Sequence, residues 1–186
     1  EGPLFITRSV TIEHRTIPYE IVVQTHGVVI GNCLIRPAAV GMGMPLVAAG
    51  DAVMRDCEID GSLIPDANIV MSIAYSGTGI IERCNIHHAA SGILINNVSD
   101  RISVAQGNYI HHLRWISPAH MDGITTRASR GGGVIIRNNR SVCDSAEGVT
   151  GALFLQPFSG YIDRVCIKGN LLEGNGYTLC IDNHGA

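Results

Sequence analysis

The sequence predicts an all-β fold, a right-handed, single-stranded parallel β-helix of about 6 to 8 rungs. Three observations predict it. One short strand–turn–strand pattern recurs six times along the chain. The 22 Gly residues and the many Ile, Val and Asn residues favour short strands joined by tight turns over helices. Apolar residues make up 46% of the chain and charged residues only 16%, which is enough apolar surface for a long buried core.

Each copy of the pattern is built around one Cys or Asn, which we call the anchor. Two Gly or polar residues come directly before the anchor, and apolar strands lie on either side of this corner. The anchors are Cys33, Cys57, Cys84, Asn108, Asn139 and Asn170, and the steps between the Asn anchors are the longest. A step of about 24 residues holds three short strands and three turns, which is one rung of a β-helix. Rungs stack at the strand spacing of about 4.8 Å, so equivalent residues form columns.

The columns beside the anchors are aliphatic. The residue two after the anchor is apolar in five of the six copies, and the residues three and four before it are apolar in all of them. Cys166 belongs to the column four before the anchor, and we therefore expect it in the core. A β-sandwich would explain short strands every 8–12 residues, but not six copies in register. Leucine-rich repeats would need a Leu spacing that is absent.

The anchors themselves predict two kinds of stacking. In the later rungs the three Asn anchors should form an amide ladder, each side chain bonding its neighbour and the turn backbone. In the earlier rungs the three Cys anchors should be small buried apolar groups. The six cysteines therefore indicate packing and not a disulfide framework. No C-x-x-C pair occurs, which argues against a structural zinc site.

Charge and targeting signals exclude some classes of function. The formal net charge is −3 and the pI about 6.2, which argues against a non-specific nucleic-acid binder. No window approaches the roughly 18 apolar residues of a membrane-spanning helix, and no signal peptide opens the chain. We expect residues 1–186 to form a single β-helix domain that is a segment of a longer chain. An extracellular or virion (tail) location fits this prediction.

Four stretches carry a resemblance to a known group, and they cover residues 79–88, 108–114, 120–124 and 169–179. They resemble the pectate-lyase-like superfamily of right-handed parallel β-helix proteins. More narrowly, they resemble β-helix segments of actinobacterial secreted proteins and of phage tail and fibre proteins. The resemblance covers nearly the whole chain and implies the fold. It does not fix the activity, because the superfamily includes lyases, hydrolases, epimerases and non-catalytic adhesins.

The resemblance implies two functions of different classes. The first is a surface glycan-recognition β-helix that cleaves its polysaccharide as a lyase or a glycoside hydrolase. The second is a non-catalytic structural or adhesin module of a virion tail. The expected partners are a polysaccharide or cell-surface glycan, other virion or same-chain domains that cap the β-helix ends, and further copies in a homotrimer. Neither nucleic acid nor membrane insertion is expected, and no cofactor is predicted.

The candidate catalytic residues lie around one short motif. His120 and Asp122 alternate at the start of a strand, which places them on one face, and Gly123 allows a tight turn. Arg127 follows, so that a carboxylate, an imidazole and a guanidinium together would bind a uronate and move a proton α to its carboxyl group. Alternatively, Asp122 pairs with Glu147 or Asp144 as the two carboxylates of a glycosidase. A structural role remains open, in which Asp-Gly starts the strand and His120 caps a loop.

The candidate substrate-binding residues are histidines and aromatics on outward columns. His87 and His111 stack three residues after their anchors, and each is followed by a second histidine. They would form a proton-transfer or carbohydrate-binding strip, or simply be solvated histidines of a repeated turn. A metal site would need further converging ligands, and none is predicted. Tyr109 and Trp115 would stack on sugar rings, with Tyr75, Phe158 and Tyr161 as further aromatic candidates.

Overall fold

The computed structural model describes residues 2–41, 43–97, 99–143, 145, 147–158, 160–174 and 176–182. Within them every pairing of two strands is parallel. The strands wind into a β-solenoid of about six turns, which confirms the predicted all-β class and the β-helix. One short helix, α1 (Asp66–Ile69), interrupts the described strands. No helix of the described residues is long and apolar enough to span a membrane.

One side of the solenoid is a seven-stranded sheet of short strands, one per rung. Each strand begins directly after an anchor or its equivalent. The strands are β3 (Thr16–Ile17), β6 (Leu34–Ile35), β8 (Glu58–Asp60), β10 (Asn85–His87), β13 (Tyr109–His111), β16 (Arg140–Cys143) and β19 (Leu171–Gly174).

The other sides form one sheet of 13 strands. Its strands are β1 (Leu4–Ile6), β2 (Val10–Glu13), β4 (Ile21–Val23), β5 (Val28–Gly31), β7 (Pro45–Arg55), β9 (Ile73–Glu82), β11 (Ser91–Asn97), β12 (Ser103–Gln106), β14 (Met121–Ser129), β15 (Val134–Arg137), β17 (Val149–Leu155), β18 (Val165–Lys168) and β20 (Tyr177–Ile181). The two long strands β7 and β9 join two sides of the solenoid. The first half of β9 pairs with β11 and its second half with β12.

The hydrogen-bonded register confirms the predicted anchor columns. Gln106 pairs with Glu82 on one side and with Arg137 on the other, so the anchors two residues later also stack in line. The structure adds one rung that the repeat search missed. Glu13 pairs with Gly31, which places Arg15 in the anchor column, one rung before Cys33. The search missed this rung because Arg15 is neither Cys nor Asn.

The residue just before each anchor has a left-handed backbone. Its φ is between 50° and 65° in all seven rungs, at His14, Asn32, Asp56, Arg83, Gly107, Asn138 and Gly169. This region disfavours β-branched and bulky apolar residues and is open to Gly and Asn. The backbone therefore explains why this position is Gly or polar in every copy.

The amide ladder forms as predicted. The side-chain amide of Asn108 donates to Asn139 Oδ1 at 2.9 Å, and that of Asn139 donates to Asn170 Oδ1 at 2.9 Å. Each Oδ1 also accepts the backbone N–H of the anchor in the preceding rung, beginning with Cys84. Cys33, Cys57 and Cys84 are buried free thiols, as expected.

Two of the three aliphatic columns face the core, and the third does not. The residues two after and three before the anchors are mostly buried. The residues four before the anchors are only half-buried, and Cys166 is exposed. The expectation that Cys166 lies in the core is therefore wrong. Successive strand residues point to opposite sides, so only one of two adjacent apolar columns can face inward.

Candidate functional site

Asp122 lies near the start of β14 and faces a pocket on the surface of the 13-stranded sheet. Strand β14 pairs with β11 of the preceding rung and with β17 of the next rung, where Gly151 lies opposite Asp122. The backbone N–H of Asp122 donates to Ser91 Oγ at 3.3 Å. Met121 and Ile124 both belong to the core, so the in–out alternation breaks between them. Asp122 is thereby left facing the pocket.

Gly123 makes this break compatible with close rung packing. A Cβ atom at this position would lie 1.9 Å from Ser141 Oγ and 2.4 Å from the Ala152 carbonyl oxygen. No side chain fits between these groups. Gly123 lies within the strand and its role is close approach to the next rung, so the expectation of a tight turn at this residue is wrong.

The pocket brings together three of the four predicted catalytic residues. It has a volume of about 160 Å³ and is lined by Gly43, Met71, Ile73, Ser91, His120, Asp122, Thr125 and Arg127. His120 Nδ1 lies 3.1 Å from the Thr150 hydroxyl, and His120 is exposed to solvent. Drug-sized ligands occupy pockets of roughly 300 Å³ or more, so this one suits a single ring-sized group.

Buried polar atoms without partners converge on this pocket. Four such side-chain atoms occur among the described residues, and three of them belong to residues that line it: Asp122 Oδ1, Thr125 Oγ1 and Arg127 Nε. Asp122 and Thr125 are only 3% and 2% exposed. Leaving a buried donor or acceptor unpaired costs about 1–3 kcal/mol, and such groups are rare in folded proteins. A ligand with hydroxyl or carboxylate groups would satisfy all three.

Burial sets the protonation of Asp122. Desolvation raises the pKa of this carboxyl group to about 6, against the smaller lowering effects of Arg127, His120, the Thr150 hydroxyl and the Gly151 amide. A group with this pKa exchanges a proton readily between pH 5 and 7, the range in which a general acid or base works best.

Glu147, the fourth predicted catalytic residue, does not line the pocket. Glu147 is exposed, and its main chain closes a small turn with the Ser145 hydroxyl. Asp144, its alternative, lies outside the described residues. Trp115 is half-buried and packs against the core, with its indole N–H bonded to the Ala119 carbonyl at 2.9 Å. It thereby holds the long loop that leads to His120.

The other aromatic candidates differ in exposure. Phe158 is 72% exposed and its ring lies under the Arg127 guanidinium at 5.9 Å, near the pocket. Tyr161 is also exposed, whereas Tyr75 is fully buried and is a core residue. Tyr75 is therefore excluded as a stacking platform.

A second polar cluster lies on the outer face of the seven-stranded sheet. It contains His87 and His111, which stack as predicted from their common column, and Tyr109 lies beside them. The rings of Tyr109 and His111 stack at 4.1 Å, and Arg140 lies 5.2 Å above the Tyr109 ring. The rings of His87 and His111 are 5.1 Å apart. His87 is only 8% exposed, so the alternative of solvated histidines is wrong for this residue.

Asp60 completes the second cluster. Its Oδ1 lies 3.3 Å from His87 Nδ1 and 3.4 Å from His88 Nδ1. Burial acts to raise the pKa of Asp60, but the Ser62 hydrogen bonds and the two imidazoles outweigh it, and the pKa lies below its usual value. Burial and the neighbouring His87 lower the pKa of His88.

Sequence reasoning missed Thr125, Thr150 and Asp60 as parts of these sites. Thr125 follows Asp122 by an odd number of residues, so strict alternation places the two on opposite faces. Only the break at Gly123 brings them together. Asp60 carried a readable signal, because it occupies the same column as His87 and His111.

A larger cavity lies elsewhere. It has a volume of about 680 Å³ and lies beside the first rungs, lined by residues such as Pro3, Pro18 and Val40. None of the unpartnered buried atoms found in the described chain belongs to its lining. The candidate site is therefore the pocket with unsatisfied polar groups and not the larger cavity.

Comparison of the chain with protein-family models, with curated proteins and with solved structures finds no match. The parallel β-solenoid is consistent with the β-helix fold that the sequence resemblance implies.

Proposed function

We propose that this protein is a surface glycan-recognition β-helix whose binding site is the pocket of His120, Asp122 and Arg127. The observation that carries the proposal is the convergence of three buried, unpartnered polar atoms on this pocket. Their chemistry matches a sugar. Asp122 Oδ1 accepts a hydrogen bond from a hydroxyl group, Arg127 Nε donates to a carboxylate or hydroxyl oxygen, and Thr125 Oγ1 does either.

Apolar groups beside the polar ones support the same ligand. Met71 and Ile73 line the pocket, and the exposed ring of Phe158 lies next to Arg127. A sugar ring has an apolar CH face that packs on such surfaces while its hydroxyl groups bond to the polar atoms. The location that we propose with this function is extracellular or on a virion tail.

The pocket supports elimination better than hydrolysis. A glycosidase needs two carboxyl groups about 5–9.5 Å apart, and Asp122 is the one carboxylate among the described residues that line the pocket. In elimination, Arg127 pairs with a uronate carboxylate and Asp122 removes the proton on the carbon α to it. Those electrons form a C=C bond to the β carbon, whose bond to the glycosidic oxygen breaks. The oxygen leaves with the electron pair and takes a proton from His120 or water.

A panel of uronate-containing and neutral polysaccharides tests the proposal. Binding is followed by calorimetry, and cleavage by the absorbance of unsaturated uronate ends and by new reducing ends. We expect binding to a uronate polymer, with unsaturated products, and we expect Asp122→Asn to abolish the products. Arg127→Gln should weaken binding, whereas Arg130→Gln, an exposed arginine on the same segment, is the matched control.

The other outcomes are equally decisive. Binding to a glycan without any product supports the alternative, a non-catalytic adhesin module, and removes the lyase. New reducing ends without unsaturated products favour a hydrolase. The absence of binding to every polysaccharide, with the protein folded, overturns the proposed function.

A further inference from the structure

We propose that Asp60, His87 and His88 form a binding site for a divalent transition-metal ion of the Zn²⁺ class. The site lies on the outer face of the seven-stranded sheet, and the inference goes beyond glycan recognition and does not depend on it. Within the described residues, these three form the one group of His, Cys, Asp and Glu side chains whose ligand atoms converge, all within 4.8 Å of one another.

The three ligand atoms lie close enough together to share one ion. Asp60 Oδ1 lies 3.3 Å from His87 Nδ1 and 3.4 Å from His88 Nδ1, and the two Nδ1 atoms are 2.6 Å apart. Ligands of a tetrahedral Zn²⁺ ion with bonds of about 2.0–2.1 Å lie roughly 3.3 Å apart. Two of the three distances already have this value. The third opens by roughly 0.7 Å when an ion replaces the proton between the rings.

The outer partner of His87 prepares its Nδ1 as a ligand. Glu58 Oε1 lies 3.1 Å from His87 Nε2, and an ionised carboxylate only accepts hydrogen bonds. Glu58 therefore favours the tautomer with its proton on Nε2, which leaves the Nδ1 lone pair for an ion shared with Asp60 and His88. Histidine ligands of metals usually donate their other N–H to a carboxylate in this way.

The backbone explains how two consecutive histidines reach one point. Adjacent residues of a strand normally point to opposite faces. His88, however, follows β10 with a φ of 60°, so the chain turns back and both rings lie on one side. Asp60 is fixed by Ser62, whose N–H donates to Oδ1 and whose hydroxyl donates to Oδ2, each at 2.8 Å.

The next rung repeats the histidine pair without the carboxylate. His112 also has a positive φ, His111 and His112 are in Nδ1–Nδ1 contact, and His111 Nε2 lies 2.8 Å from Asn85 Oδ1. In the register of the sheet, the position below His111 is His87, whereas the position below His87 is Asp60. Only the lower pair therefore has an anionic third ligand, which is why we place the ion there.

The ligand set indicates the ion. Two imidazole nitrogens and one carboxylate oxygen are ligands of Zn²⁺ and of other late transition metals, whereas Mg²⁺ and Ca²⁺ prefer oxygen ligands. The His88 side chain is 40% exposed, which leaves the ion open to solvent on one side. A fourth position is thus available to water.

Calorimetric titration with ZnCl₂ alone tests the inference. The protein carries no histidine tag, and Cys166 and Cys180 are replaced by Ser because they are the least buried of the six thiols. We expect one Zn²⁺ per chain. His88→Asn places at this positive φ a residue that tolerates it, and it should weaken binding more than about 100-fold, as should Asp60→Asn. Glu58→Gln removes only the outer partner, so it should have a smaller effect and raise the Kd by about 10- to 100-fold.

His112→Asn is the matched control, since it changes the same turn position one rung later and leaves the three ligands in place. Its Kd should equal that of the parent protein. Thermal unfolding without metal verifies that each variant is folded. The inference is overturned if the parent protein shows no saturable binding, or if binding survives both His88→Asn and Asp60→Asn. No glycan enters the titration, so this result is independent of the test of the proposed function.

Discussion

At the scale of single residues, Asp122 combines a favourable position for chemistry with an unfavourable one for stability. Its carboxyl group is buried, one oxygen has no partner, and its pKa is raised to about 6 from 3.8. A raised pKa means that the folded state binds the proton more tightly than the unfolded state. The contribution of Asp122 to stability is therefore greatest below pH 3.8 and falls as the pH rises to about 6. Above that pH, the burial of the charged form lowers stability by about 3 kcal/mol.

Asp122→Asn should therefore stabilise the protein at neutral pH while it abolishes the proposed elimination. The amide has the same shape and no charge, so we expect a gain of roughly 1–3 kcal/mol at pH 7.5 that shrinks to about zero below pH 4. Urea unfolding from pH 4 to pH 8 measures the difference. Asp163→Asn, at a side chain that is 62% exposed, is the control and should show no such trend. A gain that does not depend on pH would contradict the assignment.

Arg127 should influence the pH dependence of the proposed elimination or glycan binding, because it acts on the pKa of Asp122. Its positive charge lowers the pKa of Asp122, so Arg127→Gln should raise that pKa above its present value of about 6. The pH profile of elimination, or of glycan binding, should then move to higher pH. Arg127→Lys keeps the charge and should move the profile less, although it loses the planar guanidinium that pairs with a carboxylate. An unchanged profile in Arg127→Gln would show that the two groups do not interact.

How far the sequence predicts the site also depends on particular residues. The motif from His120 to Arg127 located the pocket, because strand alternation and charge are visible in the chain. Thr125 was missed because the break at Gly123 reverses the alternation, and that break depends on contacts with Ser141 and Ala152 in the next rung. The convergence of His87 and His88 was missed because it depends on a positive φ that no residue type dictates.

At the scale of elements, the amide ladder holds the later rungs in register. Asn139 donates to the Ala105 carbonyl at 3.0 Å and to Asn170, and it accepts two hydrogen bonds from Asn108. The sequence predicted this ladder because the same amide recurs at one position of each repeat. It could not show the first rung, where Arg15 occupies the anchor position and the step to Cys33 is shorter than any later step.

Asn139→Ala should destabilise the protein strongly. It removes the acceptor of the Asn108 backbone N–H and of one amide hydrogen of Asn108, and a donor to the Ala105 carbonyl, and each buried group left unpaired costs about 1–3 kcal/mol. We expect a loss of about 3 kcal/mol or more, measured by urea unfolding. Asn170→Ala changes the half-buried last anchor in the same way and should cost clearly less, because this side chain borders solvent and water can take its place. Equal losses at the two positions would contradict the expectation that the hydrogen bonds of the ladder contribute more to stability where they are shielded from water.

At the scale of the whole molecule, the backbone of each rung pairs only with that of its neighbours, so stability is approximately a sum of local terms. A few long side chains reach further, such as Arg114, which donates to the carbonyls of Gly61 and Ile64 two rungs away. The strand pairings connect each rung with the ones before and after it and with no other. A substitution that destabilises one rung should therefore destabilise the rungs next to it and not the whole chain. The two polar sites lie on different sheets, and each should tolerate changes in the other.

Hydrogen exchange tests this locality. In Asn139→Ala, the amides of β12, β15 and β18 should lose protection, whereas those of β2 and β5 should keep the protection they have in the parent protein. Mass spectrometry of peptides from the two regions measures both in one experiment. A uniform loss over all strands would indicate a single cooperative unit in place of a nearest-neighbour stack.

The left-handed corner before each anchor has a consequence for how such a chain can change. The corner is the same in all seven rungs, although the steps between anchors differ in length and are longest in the later rungs. All variation in length is therefore taken up by the other bends, among them the long loop that leads to His120. New segments can be inserted there, directly beside the pocket, without disturbing the stacking of the anchors. The architecture thus separates the corners, whose conformation is the same in every rung, from the bends at which the chain can vary in length.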